Sequence, residues 1–284
     1  MQIVANNFSR AWYTLLGNLL KSDTISPRGL PSREQIGVTL RVIDGRENIL
    51  VHPHRNLGYR FMVAEWLWIW FGREDVRSIA QYNSQISQFS DDGLFFDGAY
   101  GPRVKSQWPY VLGTLKRDLS SRQAVISIFN PRIEGKNSKD VPCTLTVQFL
   151  VRHDQLSTIV CMRSSDVWLG LPYDFYNFSM LGNILAGQLN LKVGSVVMHL
   201  GSSHLYERNV ERAACVIRNE VDLSVIRSPY LGGAPPADLE RRFDSPVGTP
   251  MLLPSHWQHY ADALSGPTST LALFALRRMT ERYE

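Results

Sequence analysis

The chain has 284 residues, 44% hydrophobic and 20% charged, with a formal net charge of +4. That balance supports a substantial core and excludes an intrinsically disordered chain. The mild basic excess suits an anionic small molecule, whereas Lys and Arg scattered without a dense stretch argue against a nucleic-acid partner.

Residues 1–20 carry no early basic cluster and include Asn6, Asn7 and Ser9, unlike a signal peptide. The longest apolar stretch, 61–71, contains Glu65 and is too short to span a bilayer. Cys143, Cys161 and Cys215 are too sparse, and odd in number, for a disulfide framework. The expectation is a cytoplasmic protein with no membrane partner.

Apolar spacing predicts an opening helix over 7–21, then a loop over 22–33 marked by Pro27, Gly29 and Pro31. Residues 38–42 alternate as a strand. Residues 58–71 read as a buried helix stopped by Gly72, and 82–101 as mostly irregular. A helix is expected over 107–119 with Pro109 in its first turn, and a strand over 124–129. Residues 144–151 and 158–163 alternate as strands joined by a turn at 152–156. An apolar helix over 175–191 precedes a strand over 195–200. Residues 221–249 are Pro- and Gly-rich connection, and 256–283 close the chain as one or two helices. Strands mixed with long helices, and no internal repeat, indicate an α+β fold in one domain spanning 1–284.

Two residues stand out chemically. Glu65 sits inside a strongly apolar helix, where a carboxylate is costly unless paired, for instance with Arg60, or functional. Cys143 follows Pro142 at the head of a predicted strand, and a cysteine in a cationic setting is a candidate nucleophile.

The stretch Arg163-Ser164-Ser165-Asp166-Val167-Trp168-Leu169-Gly170-Leu171-Pro172-Tyr173-Asp174 resembles the thymidylate synthase pattern Arg-Ser-x-Asp-x-x-Leu-Gly-Leu-Pro-Phe-Asn. Pro142-Cys143, Gln148-Phe149, Glu65-Trp66-Leu67-Trp68, Tyr100-Gly101 and Ser121-Arg122 fall in the family's order, and Gly201-Ser202-Ser203-His204-Leu205-Tyr206 matches Gly-Asp-x-His-x-Tyr. The resemblance covers roughly residues 55–210. It implies a thymidylate synthase-like fold whose mixed sheet forms a homodimer interface, with helices packed on the other side.

The resemblance also implies roles. Cys143 would add to C6 of a pyrimidine nucleoside monophosphate, activating C5 toward a methylene carried by 5,10-methylenetetrahydrofolate. Glu65 would organise water and move protons. Arg163, Ser164 and the partner subunit's copy of Arg122 would hold phosphate, and Arg28 lies where the family places another phosphate arginine. His204 and Tyr206 would bind the sugar 3′-hydroxyl. Asp166 and Tyr100 complete the expected substrate site.

Departures from the family pattern set the expected reaction. Uracil-using members have asparagine where this chain has Asp174, and an acceptor there suits the N4 amino group of cytosine. The family's Ile-Trp segment is Ile86-Ser87, and its C-terminal tail has no clear counterpart in 271–284. A more open site admits water, giving 5-hydroxymethyl in place of methyl. The expectation is a deoxycytidylate 5-hydroxymethylase. The alternatives are a cytidylate enzyme, a thymidylate synthase and an inactive nucleotide-binding protein.

Overall fold

A computed structural model describes all residues except 132–137, 220–224, 247–252, 267–268 and 281–284. In chain order the strands are β1 (Gln2–Ala5), β2 (Thr24–Ile25), β3 (Ser32–Val42), β4 (Val125–Ser127), β5 (Thr144–Arg152), β6 (Gln155–Asp166) and β7 (Lys192–Tyr206). The α-helices are α1 (Phe8–Leu19), α2 (Tyr59–Trp70), α3 (Val76–Ala80), α4 (Tyr100–Arg117), α5 (Leu171–Gln188), α6 (Glu207–Arg218), α7 (Ala237–Asp244), α8 (Ser255–Ser265) and α9 (Ser269–Thr280).

The strands form one seven-stranded mixed sheet in the order β1-β3-β7-β6-β5-β4, with β2 pairing beside β3. Strands β1 and β3, and β6 and β7, run parallel; the other pairs are antiparallel. Side chains alternate cleanly across it. Val196, Met198 and Leu200 of β7 and Val147 and Phe149 of β5 are buried, whereas Val193, Val197, Gln148 and Leu150 are half-buried. One face therefore carries the helices and the other lies uncovered in the single chain. This is the α+β architecture expected from the sequence.

Helices α2 and α5 sit at the centre of the covered face and are apolar nearly all round, as a helix enclosed on every side must be. Gly182 of α5 lies so close to Thr158 of β6 that any Cβ would overlap the threonine hydroxyl, which lets the helix settle onto the sheet. Phe175 of α5 stacks on Phe8 of α1 with ring centroids 4.1 Å apart. Among the described residues, no helix is long and apolar enough to cross a membrane.

Several boundaries differ from expectation. Helix α4 starts at Tyr100, so Pro109 lies in its interior, not its first turn. The buried stripe Val104, Trp108, Val111 and Leu115 packs continuously past the exposed proline, and this packing outweighs the lost hydrogen bond. Strand β3 begins at Ser32, inside the stretch read as loop, because β7 runs on to Tyr206 and pairs with it throughout. Helix α6 was not expected; of its apolar side chains only Ala213 and Val216 are fully buried. Helix α7 interrupts the region read as connection.

Near one end of the sheet the buried positions change phase. In β6 and β7 they are even-numbered up to Met162 and Leu200, then odd-numbered from Ser165 and Ser203. The two changes are adjacent in register. Ser164, Ser202, His204 and Tyr206, otherwise continuous with the covered face, line a cleft instead.

Candidate active site

That cleft, of about 490 Å³, is walled by β3, β6 and β7 and capped by the turn around Arg28. Arg28 has φ 54, a left-handed conformation, and lines the cleft with Arg163, Ser164, His204 and Tyr206. Five of the eleven expected site residues thus meet in one space that can take an anion at its cationic end. The His204 and Tyr206 rings pack edge to face with centroids 5.1 Å apart.

Cys143 sits at the head of β5, half-buried. The Arg163 side chain braces the segment before it: Nε donates to the Pro142 carbonyl at 2.9 Å and Nη2 to the Val141 carbonyl at 2.9 Å. The Arg163 amide donates to the Cys143 carbonyl at 2.8 Å. On the other side, the Thr144 amide and hydroxyl donate to the Tyr100 phenol oxygen at 3.3 and 3.2 Å. Burial pushes the Cys143 thiol above its usual range, Arg163 opposes this, and the charges of Asp174 and Asp140 reinforce it. The cationic neighbour expected to favour the thiolate is present, but desolvation outweighs it.

Three carboxyls converge beyond the cysteine. Glu65 of α2 accepts from Asn177 Nδ2 at 2.8 Å, and burial pushes its pKa up to about 7 against that hydrogen bond. Its candidate partner Arg60 is turned away, donating to the Leu264 carbonyl and stacking on Tyr82. Asp174, in the first turn of α5, is raised well above the carboxylate range by burial, then by the charges of Glu65 and Asp166. A carboxyl shifted this way, when protonated, can both donate and accept. Asp166 Oδ1 accepts from the Trp168 and Leu169 amides at 2.8 and 3.0 Å, which fixes the loop leading into α5. Burial raises Asp166 and lowers His204, and the attraction between the two opposes both shifts.

Arg122 stands apart from the cleft. It is exposed before β4, where its carbonyl accepts from Gln148 on the uncovered face of the sheet. Among the described residues no cluster of His, Cys, Asp and Glu could hold a metal ion.

A family model described as thymidylate synthase matches residues 21–226. The chain belongs to the thymidylate synthase family. It is 32% identical over 217 residues to the deoxyuridylate hydroxymethyltransferase of Bacillus phage SP01, covering 70% of this chain and 57% of that protein. It is 30% identical over 185 residues to the protein of the same name in Pseudomonas phage M6, covering 62% and 53%. The chain thus spans little more than half the length of these relatives.

Within this thymidylate synthase fold, sequence reasoning missed Asn177 and Glu34. Asn177 lies three residues after Asp174 on the same helix face, a spacing that could have signalled it. Glu34 lines the cleft from the part of β3 that read as loop's edge.

Proposed function

We propose that this protein is a cytidine monophosphate 5-hydroxymethyltransferase. It would take a methylene at the formaldehyde oxidation level from 5,10-methylenetetrahydrofolate, add water to it and release tetrahydrofolate. The supporting observation is Asp174, a half-buried carboxyl in the first turn of α5 at the position where uracil-using members of the family carry asparagine, with its pKa raised by desolvation. In its protonated form its carbonyl oxygen would accept from the N4 amino group and its hydroxyl would donate to N3, so N3 need not be protonated beforehand.

The remaining roles follow from placement. Arg28 and Arg163 hold the phosphate, with Arg122 contributed by a second copy of the chain in a homodimer. Tyr100 and Arg163 fix the backbone around Cys143, whose sulfur adds to C6 and leaves after C5 has been substituted. Glu65, near neutrality in pKa, takes and returns protons on the base and on water. For the folate, Leu169 is 45% exposed on the loop that Asp166 fixes. An apolar surface beside a carboxyl suits a flat heteroaromatic ring carrying N–H donors, so Leu169 and Asp166 would hold it.

A second reading, uracil as the base, is favoured by the names of the two phage relatives. A neutral carboxyl can also rotate to donate to O4 and accept from N3–H. Asp174→Asn separates the readings. The amide's O and NH2 are fixed in identity, and it should shift the kcat/KM ratio toward the uracil nucleotide by one to two orders of magnitude, roughly 1–3 kcal/mol. A wild type that already prefers uracil, or a ratio that does not move, removes Asp174 from base selection.

A further inference from the structure

The wall of the cleft opposite His204 carries a carboxylate with no role in the reading above. Glu34 of β3 stands directly opposite His204 of β7 in the antiparallel register, one strand away. Both line the cleft, with Ser32, Ser202 and Tyr206. The Ser202 hydroxyl donates to Glu34 Oε1. Where the family pattern has an aspartate, this chain has Ser202 and brings the carboxylate in from the neighbouring strand. Among the described residues no cation forms an ion pair with Glu34.

We propose that Glu34 reads the sugar: its Oε2 accepts a hydrogen bond from the 2′-hydroxyl of a ribonucleotide whose 3′-hydroxyl is held by His204 and Tyr206, so the preferred substrate is a cytidine ribonucleoside monophosphate. The spacing supports this. Paired strands lie about 4.8 Å apart, so groups reaching from opposed residues can meet two neighbouring hydroxyls of one ring. The chemistry supports it too. A carboxylate only accepts, the 2′-hydroxyl is a donor, and the same pairing recurs where acidic residues bind ribose in dinucleotide sites. A deoxyribose offers no donor there and leaves a carboxylate oxygen desolvated and unpaired.

The inference rests on the nucleotide reading above, and binding separates the two. Isothermal titration calorimetry of the full chain with CMP, dCMP, UMP and dUMP reads affinity without requiring turnover. Wild type should bind CMP roughly 10- to 100-fold more tightly than dCMP. Glu34→Ala should bring that ratio to within about threefold of unity, and Glu34→Gln, whose amide oxygen still accepts, should keep part of it. Circular dichroism melting of each variant confirms that it is folded. A wild type that binds CMP and dCMP equally, or prefers dCMP, overturns the role of Glu34. So does a ratio unmoved in Glu34→Ala while both affinities fall together, which would mean that Glu34 acts only through His204. If none of the four nucleotides binds wild type, the nucleotide reading itself fails, and the inference with it.

Discussion

At the scale of single residues, the site is defined by acids held against their preferred charge. Glu65 illustrates the cost. Its folded pKa of about 7 lies above its usual 4.5, so between these values the folded state binds more protons than the unfolded one. Its contribution is therefore full below about pH 4.5 and is lost as pH rises through 7. At about 1.4 kcal/mol per pH unit, the shift from 4.5 to about 7 makes the loss about 3.5 kcal/mol. Glu65→Gln should remove this slope. Urea unfolding should find the variant equal to wild type near pH 4 and more stable at pH 8 by up to about 3.5 kcal/mol; parallel curves would mean that Glu65 is not desolvated. Cys143→Ser should lose turnover by about three orders of magnitude or more, since a serine hydroxyl without a dedicated base is a poor nucleophile, while still binding nucleotide in calorimetry. Near-normal turnover would take Cys143 out of the mechanism. Cys143, Glu65 and Asp174 could be singled out in the sequence because their motifs are local. The direction of their pKa shifts could not, because desolvation depends on how α2, α5 and β5 close around them. Arg163 suggested a thiolate, and burial, reinforced by the charges of Asp174 and Asp140, reverses that.

At the scale of elements, the contact between α2 and α5 governs the site. Asn177 donates to Glu65 across it, and this bond holds the Glu65 pKa down. Asn177→Ala should therefore raise the apparent pKa near 7 in the pH profile of kcat, and Glu65→Gln should abolish it. An unshifted profile in Asn177→Ala would assign that limb to another group. The cores of α2 and α5 were readable from apolar runs; the ends of α2 fell within one residue of expectation, whereas those of α5 did not. Helix α4 passes through Pro109 because its buried stripe is continuous, and β3 extends over polar residues because β7 pairs with Ser32 through Ile36. Long-range pairing decided both, and no local pattern encodes it. That is why Glu34, inside the extension, escaped notice while His204 and Tyr206 did not.

At the scale of the whole molecule, the uncovered sheet face and the placement of Arg122 support a dimer with shared sites. Val197, half-buried in the central strand β7, would lie within that interface. Val197→Arg should convert a dimer to the 32.3 kDa monomer in analytical ultracentrifugation; an unchanged mass would place the interface elsewhere. Mixing inactive Arg122→Ala chains with inactive Cys143→Ser chains should restore about a quarter of wild-type activity, because half the dimers then hold one complete site. No rescue after confirmed subunit exchange contradicts the shared site. The reaction is tested most directly by its product. The wild-type chain, incubated with 5,10-methylenetetrahydrofolate and CMP, dCMP, UMP or dUMP in turn, is followed by mass spectrometry of the nucleotide. The expected result is a gain of CH2O on a cytosine nucleotide, with CMP converted fastest. A gain of CH2 on dUMP, or no modification of any of the four, would contradict it.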